Sequence, residues 1–186
     1  MLRIKILIPI FFLLIISCMQ NDEKNDIVYK AIGVFKTEFT TSTEVPRQGI
    51  LLPDVKARIV LNGDYGEALL DLDKFEYIWV IYHMNLVKDW DPFVNPPGTE
   101  HYFGTFATRS PRRPNPIGMA LVKLNRIDHD TLFVSGIDAF NNTPVLDLKP
   151  YLPSVDYVKS TVNENMEKEM GHHDEEMIDE DKPVYK

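Results

Sequence analysis

Hydrophobic positions along this chain fall into three regimes. Ile6 to Ile16 form an unbroken apolar run behind Arg3 and Lys5, the stretch from Ile27 to residue 155 breaks into short apolar segments between turn formers, and residues 156–186 are dominated by acids. In the middle regime Ile27–Lys36, Ala57–Leu61, Tyr77–Asn85, Tyr102–Thr108, Ile117–Asp128 and Thr131–Asp138 are rich in Val, Ile, Phe and Tyr and read as strands. The last two predict a hairpin. Leu121, Leu124 and Ile127 interleave with Lys123, Asn125 and Arg126, His129-Asp130 turns the chain, and Leu132-Phe133-Val134 returns it. Gly66–Phe75, with Ala68, Leu69, Leu70, Leu72 and Phe75, reads as one short helix, and Asn141-Asn142-Thr143-Pro144 as a turn from which Val145, Leu146 and Leu148 lead back to the core. Many short strands, few helices and no internal repeat predict a mainly β fold, a small closed or partly closed β-barrel rather than a doubly wound sheet.

The two ends of the chain read differently from this centre. Eleven apolar residues in a helix reach about 16 Å, short of a hydrocarbon core of roughly 30 Å, so residues 1–17 read as a signal peptide rather than a membrane span. Ile15-Ile16-Ser17-Cys18 resembles a bacterial lipobox, which makes Cys18 a lipidation site and residues 18–26 a lipidated polar tether to a membrane. Two alternatives stay open: a buried free cysteine on an apolar N-terminal helix, and translation from Met19, which leaves the protein in the cytoplasm. The domain proper then spans residues 27–155, and residues 156–186 form an acidic tail, helical or disordered. His172-His173 beside Asp174 is taken as part of that solvated tail, and no metal site is assigned.

Composition narrows the chemistry. Among 186 residues, 44% are hydrophobic and 26% charged, with 13 Pro and 9 Gly, which is ordinary globular usage. The formal charge is −8, and becomes −10 if Arg3 and Lys5 leave with the signal, so contact with nucleic acid needs a local basic patch. A single cysteine excludes a disulfide framework and a Cys-rich zinc site. GxGxxG, Walker, HExxH and GxSxG patterns are all absent. What stands out is Phe103-Gly-Thr-Phe-Ala-Thr-Arg109-Ser-Pro-Arg112-Arg113-Pro-Asn-Pro-Ile-Gly-Met119. Three arginines among three prolines cannot form a regular helix, because proline removes a donor and extends its predecessor. The segment is a stiff cationic loop whose guanidinium forks suit a carboxylate or phosphate. An ordinary surface loop whose arginines pair with local acids is the alternative. Two further segments look like its partners: Glu44-Val-Pro-Arg47-Gln48-Gly49, and Asp138 to Tyr151, in which Asp147 and Lys149 also suit a simple surface ion pair.

Taken in order, VPRQ, a strand ending at His83, FATRSPRRPNPIGM and TPVLDLKPYLP resemble the TsaA-like domain of TrmO-type tRNA methyltransferases over residues 27 to about 155. The resemblance implies a small β-barrel, a homodimer, S-adenosylmethionine as cofactor, and methylation of N6 of threonylcarbamoyladenosine 37 in tRNA. It carries cofactor contacts to Gln48, Gly49, Ile50, Met84, Asn85, Arg109, Met119, Ser135, Gly136, Ile137 and Asp138. Within that set Arg109 suits the methionine carboxylate, Asp138 or a backbone amide the ribose or amino groups, and Ile50 and Met119 the adenine faces. Arg47, Arg112, Arg113 and Lys149 are left for RNA phosphate or the threonyl carboxylate of the substrate. Catalytic residues stay unassigned, and no general base is named. The chain departs from the family pattern at Asn141-Asn142, where Asp-Gly is usual, and at Met84, where a polar residue is usual. The lipobox and the family point to different compartments, since tRNA and S-adenosylmethionine are cytoplasmic. A second reading is therefore an exported lipoprotein that keeps the barrel as a non-catalytic binding module for a nucleoside-like or anionic small molecule.

Overall fold

Period-two burial runs through Lys56–Leu61, Tyr77–His83 and Ile117–Leu124 of the computed structural model, which describes residues 26–40, 45–46, 48–63, 65–96 and 100–159, with 166 and 168. Residues 1–25 with Cys18, Arg47, and the tail with His172-His173 lie outside the described residues. The strands are β1 (Gly33–Lys36), β2 (Lys56–Leu61), β3 (Tyr77–His83), β4 (Phe93–Val94), β5 (Phe103–Gly104), β6 (Ile117–Asp128), β7 (Thr131–Ser135) and β8 (Pro144–Pro150). Six of them close a barrel in the order β1-β2-β7-β6-β3-β8, all pairs antiparallel, while β4 and β5 form a separate two-stranded ribbon.

The interior follows from side-chain alternation. In β3, Ile78, Val80 and Tyr82 point inward and Trp79 and Ile81 outward, and β6 buries Gly118, Ala120, Val122 and Leu124 while exposing Met119 and Lys123. Phe35, Ile59, Ile78, Val80, Val122, Leu132, Val134 and Val145 fill the barrel without exposure. Each large apolar side chain of this kind contributes about 1.5–3 kcal/mol relative to an exposed one. The β6–β7 hairpin turns at His129, whose φ of 53° is left-handed, and Asn142 at 65° turns the chain into β8. Asparagine tolerates that conformation, so the turn survives without a glycine.

Several expected elements are shorter than their apolar pattern suggests. The Ile27–Lys36 segment is a strand only over its last four residues, because Ile27, Val28 and Tyr29 are exposed and meet no interior face. Tyr77–Asn85 ends at His83, and Thr131–Asp138 ends at Ser135, where Gly136 at φ +79° turns the backbone away. Tyr102–Thr108 is a two-residue strand followed by a 3-10 turn at Thr105–Ala107. The helix expected over Gly66–Phe75 is two 3-10 turns, Gly66–Leu69 and Leu72–Lys74, divided at Asp71, whose φ is 64°. A left-handed residue breaks the ladder of i to i−4 hydrogen bonds, so no continuous α-helix forms. One short helix, α1 (Pro153–Asp156), follows β8 and is tied to the barrel by Trp79 Nε1 donating to Asp156 Oδ2 at 3.3 Å. Among the described residues no helix is long and apolar enough to cross a membrane.

The antiparallel registers define two barrel ends. At one end β1, β3 and β7 finish and β2, β6 and β8 begin, so residues 37–55, 84–116 and 136–143 all connect there. Residues 62–76 cross the opposite end.

Candidate functional site

The three connections at the first end converge on a pair of glycines. A Cβ at Gly49 would sit 2.0 Å from the Gly136 carbonyl oxygen, so the two turns touch backbone to backbone and only glycine fits. Gly136 N–H in turn donates to Val55 O at 3.0 Å, which pins this turn beside the start of β2. The 3-10 turn Gly49–Leu51 also lies against β6, the strand that carries Met119.

Asp138, just beyond Gly136, fastens this contact. Its carboxylate accepts the Tyr82 hydroxyl at 3.0 Å and the N–H groups of Gly49 and of Asp138 itself. Burial pushes its pKa above the ordinary carboxylate range, against the pull of those hydrogen bonds and of the Arg109 cation. Burial also raises the Tyr82 phenol well beyond its ordinary range, helped by the charge and hydrogen bond of Asp138, so Tyr82 stays a neutral donor. The Tyr82 ring is itself wedged: it meets Phe35 edge-on with centroids 5.6 Å apart, and any Cβ at Gly118 would fall 2.3 Å from it. Over this platform Arg109 Nη1 donates to Gln48 Oε1 at 2.6 Å and leaves the rest of its guanidinium exposed.

Most of the predicted cofactor residues therefore meet, though not all through their side chains. Gln48, Gly49, Ile50, Arg109, Gly136 and Asp138 converge, while Ile137 is fully buried and Ser135 nearly so, leaving mainly backbone groups to offer a ligand. Met84 packs its side chain against the core and anchors its N–H on Pro116 O at 2.8 Å, whereas Asn85 beside it is exposed. Ile50, Phe106 and Met119 are exposed apolar side chains on the turn, the cationic loop and β6.

The expected substrate cations separate. Arg112 is exposed, and its carbonyl accepts Asp91 N–H at 3.4 Å. Arg113 turns back on its own loop, donating from Nη1 to the Thr105 and Thr108 carbonyls at 3.1 and 2.8 Å with its guanidinium 5.6 Å from the Phe106 ring. It is the brace of the loop. Lys149 sits beside Trp79 toward the opposite barrel end, ion-paired with Asp147 at 2.6 Å, as its surface-pair reading expected. Two residues escaped the sequence reading. Tyr82 looked like one more strand aromatic, its only signal being the inward parity it shares with Ile78 and Val80. Buried Thr105, whose hydroxyl donates to the Asp91 carbonyl, ties the loop to the β4 approach and carries no local signal.

The donor set fits a methionyl nucleoside. An exposed guanidinium held on an amide suits a carboxylate, an acid with backbone N–H neighbours suits hydroxyl or ammonium groups, and exposed apolar side chains suit a purine face. A separate cavity of about 430 Å³ lies at the opposite end, lined by Ile32, Leu61, Leu69, Leu72, Phe75 and Leu148 among others, and contains none of the predicted cofactor residues.

Residues 34–157 match the family model described as the tRNA-methyltransferase O N-terminal domain. An S-adenosyl-L-methionine-binding protein of Archaeoglobus fulgidus is 36% identical over 132 residues, covering 71% of this chain and 94% of that protein. The tRNA (adenine(37)-N6)-methyltransferase of Escherichia coli K12 is 36% identical over 135 residues, covering 67% of this chain and 57% of that protein. The crystal structure of TrmO from Pseudomonas aeruginosa superposes with a TM-score of 0.64 at 31% identity, covering 73% of this chain and 60% of that one. The chain thus spans about three-fifths of that solved chain.

Proposed function

Because the chain belongs to the tRNA-methyltransferase O N-terminal domain family, we propose that it is an S-adenosylmethionine-dependent methyltransferase acting on N6 of adenosine 37 in tRNA. The threonylcarbamoylated nucleoside implied by the family resemblance is the substrate form. One observation carries this reading: the Gly49–Gly136 contact holds Asp138, Gln48 and Arg109 together at a single barrel end.

The sulfonium of the bound cofactor supplies a methyl group already activated for transfer. What this chain contributes is position. Arg109, steadied by Gln48, holds the methionine carboxylate; Asp138 and the neighbouring backbone amides hold the ribose or amino groups; Ile50 and Met119 flank the adenine. Tyr82 orients Asp138 from inside the barrel and keeps its own proton. Arg113 braces the loop that carries Arg109, and exposed Arg112 faces solvent from which RNA approaches. The exposed apolar side chain of Phe106, on the cationic loop, supports a homodimer formed beside this end.

Calorimetric titration with S-adenosylmethionine, followed by methyl transfer to threonylcarbamoylated tRNA, tests the reading. Binding with transfer supports it. Binding of a nucleoside without transfer favours the non-catalytic module. The lipobox-like Ile15-Ile16-Ser17-Cys18 supports a separate proposal, a lipid anchor on Cys18. Cys18→Ser then moves the protein out of the detergent phase on partitioning, and an unchanged distribution refutes the anchor.

A further inference from the structure

A chain of net charge −8 attracts RNA only where its cations gather, and the closed barrel gathers them on one outer wall. Lys36 of β1 pairs in register with Arg58 of β2, Arg58 with Phe133 of β7, and Phe133 with Arg126 of β6. These four positions form one row across four strands. The adjacent row runs Lys56, Ser135, Lys123. With strands about 4.8 Å apart and same-face residues about 6.7 Å apart, the five cations cover a strip about 14 Å across, wide enough for several phosphates.

The wall has a built centre. The Arg126 guanidinium lies 3.5 Å from the Phe133 ring centroid, a stacked cation on a half-buried aromatic. Among the described residues two of these cations form exposed ion pairs: Arg126 with Asp128 at 3.3 Å and Lys123 with Glu76 at 3.3 Å. Such pairs exchange readily for a phosphate partner. Lys36 Nζ donates to Asn142 Oδ1 at 2.7 Å, and Lys56 and Arg58 have no ion pair among the described residues. Ser135 runs directly into Gly136, so the strip is continuous with the candidate cofactor end.

We propose that the outer wall of β1, β2, β7 and β6 is a docking surface for the RNA backbone, with Lys36, Lys56, Arg58, Lys123 and Arg126 meeting phosphates that flank the nucleotide delivered to the barrel end. This rests on the tRNA reading above and assigns it a surface that Arg109 and its loop do not provide. Charge complementarity selects the occupant, and the strip's continuity with the cofactor end selects RNA over an anionic membrane.

The test is tRNA binding by the full chain, read by fluorescence anisotropy between 50 and 200 mM salt, for the wild type and for the double variant Lys56→Gln, Arg58→Gln. Loss of two phosphate contacts lowers the slope of log affinity against log salt by about 1.4, so the wild type loses about 7-fold more affinity across that range than the variant. Lys74→Gln, at the opposite barrel end, leaves the slope unchanged. An unaltered slope in the double variant overturns the proposal, as does absence of tRNA binding by the wild type. It is equally overturned if phosphatidylglycerol vesicles lose as much binding as tRNA, or lose it alone. Calorimetry with S-adenosylmethionine on the same proteins separates the two readings. A slope change without cofactor binding keeps the wall and removes the methyltransferase, while cofactor binding with an unaltered slope does the reverse.

Discussion

At one end of the barrel two glycine turns, Asp138, Tyr82 and Arg109 meet through backbone contact and hydrogen bonds, whereas the other end is closed by Leu69, Leu72 and Phe75 around an apolar cavity of about 430 Å³. Apolar closure is tolerant, because side chains of similar volume repack at small cost. Backbone apposition and hydrogen bonds are directional, and they fix donors to within tenths of an ångström. That cavity is therefore not the better candidate site. Convergence of polar groups from three connections distinguishes the first end, and among the described residues no equivalent set meets at the second.

The sharpest way to break this contrast is a single methyl group at each end. Gly49→Ala drives a Cβ into the Gly136 carbonyl, and costs about 3 kcal/mol of stability or displaces the turn. Gly63→Ala, beside the apolar end, meets nothing within 4 Å and should change stability by less than about 0.5 kcal/mol. Urea denaturation of both variants decides; equal costs would erase the difference between the ends.

A smaller effect is expected in the affinity for S-adenosylmethionine. Arg109→Ala removes a charge-assisted hydrogen bond and weakens cofactor binding by about 1.5–3 kcal/mol in calorimetry. Leu70→Ser, at the rim of the apolar cavity, leaves that affinity untouched. Cofactor binding that followed Leu70 instead of Arg109 would move the site to the other end.

The smallest effect is a pH dependence. Burial raises the Asp138 carboxyl above the ordinary carboxylate range, so the folded state holds this proton more tightly than the unfolded one. Stability from this group is then full below the unfolded value and declines as pH rises through the folded one. Asp138→Asn removes the titration and flattens that decline, read as the urea midpoint across the acidic range. Parallel profiles for the two proteins would show that Asp138 is not buried as described.

Much of this was legible in residue order. Apolar, β-branched and aromatic content marked Tyr77–His83 and Ile117–Asp128 as strands, and prolines around Arg109, Arg112 and Arg113 marked a loop that no helix could replace. Asn142 adopted the left-handed turn that its side chain tolerates. Other features were hidden. Arg113 was left for RNA phosphate or a substrate carboxylate, and nothing in residue order showed that its Nη1 also braces its own loop through the carbonyls of Thr105 and Thr108. The Gly66–Phe75 pattern suited a helix, but Asp71 in the left-handed region divides it, a backbone choice that periodicity does not encode.

The sequence alone determined that short strands build the domain, where the chain must turn, and which loop is stiff and cationic, because each depends on neighbours a few positions away. The tertiary structure decided that Gly49 rests on Gly136, that Tyr82 reaches Asp138, and that Lys36, Arg58, Phe133 and Arg126 fall into one row. Those juxtapositions come from strand register and barrel closure, which are set by the summed packing of all six strands and by no local run of residues.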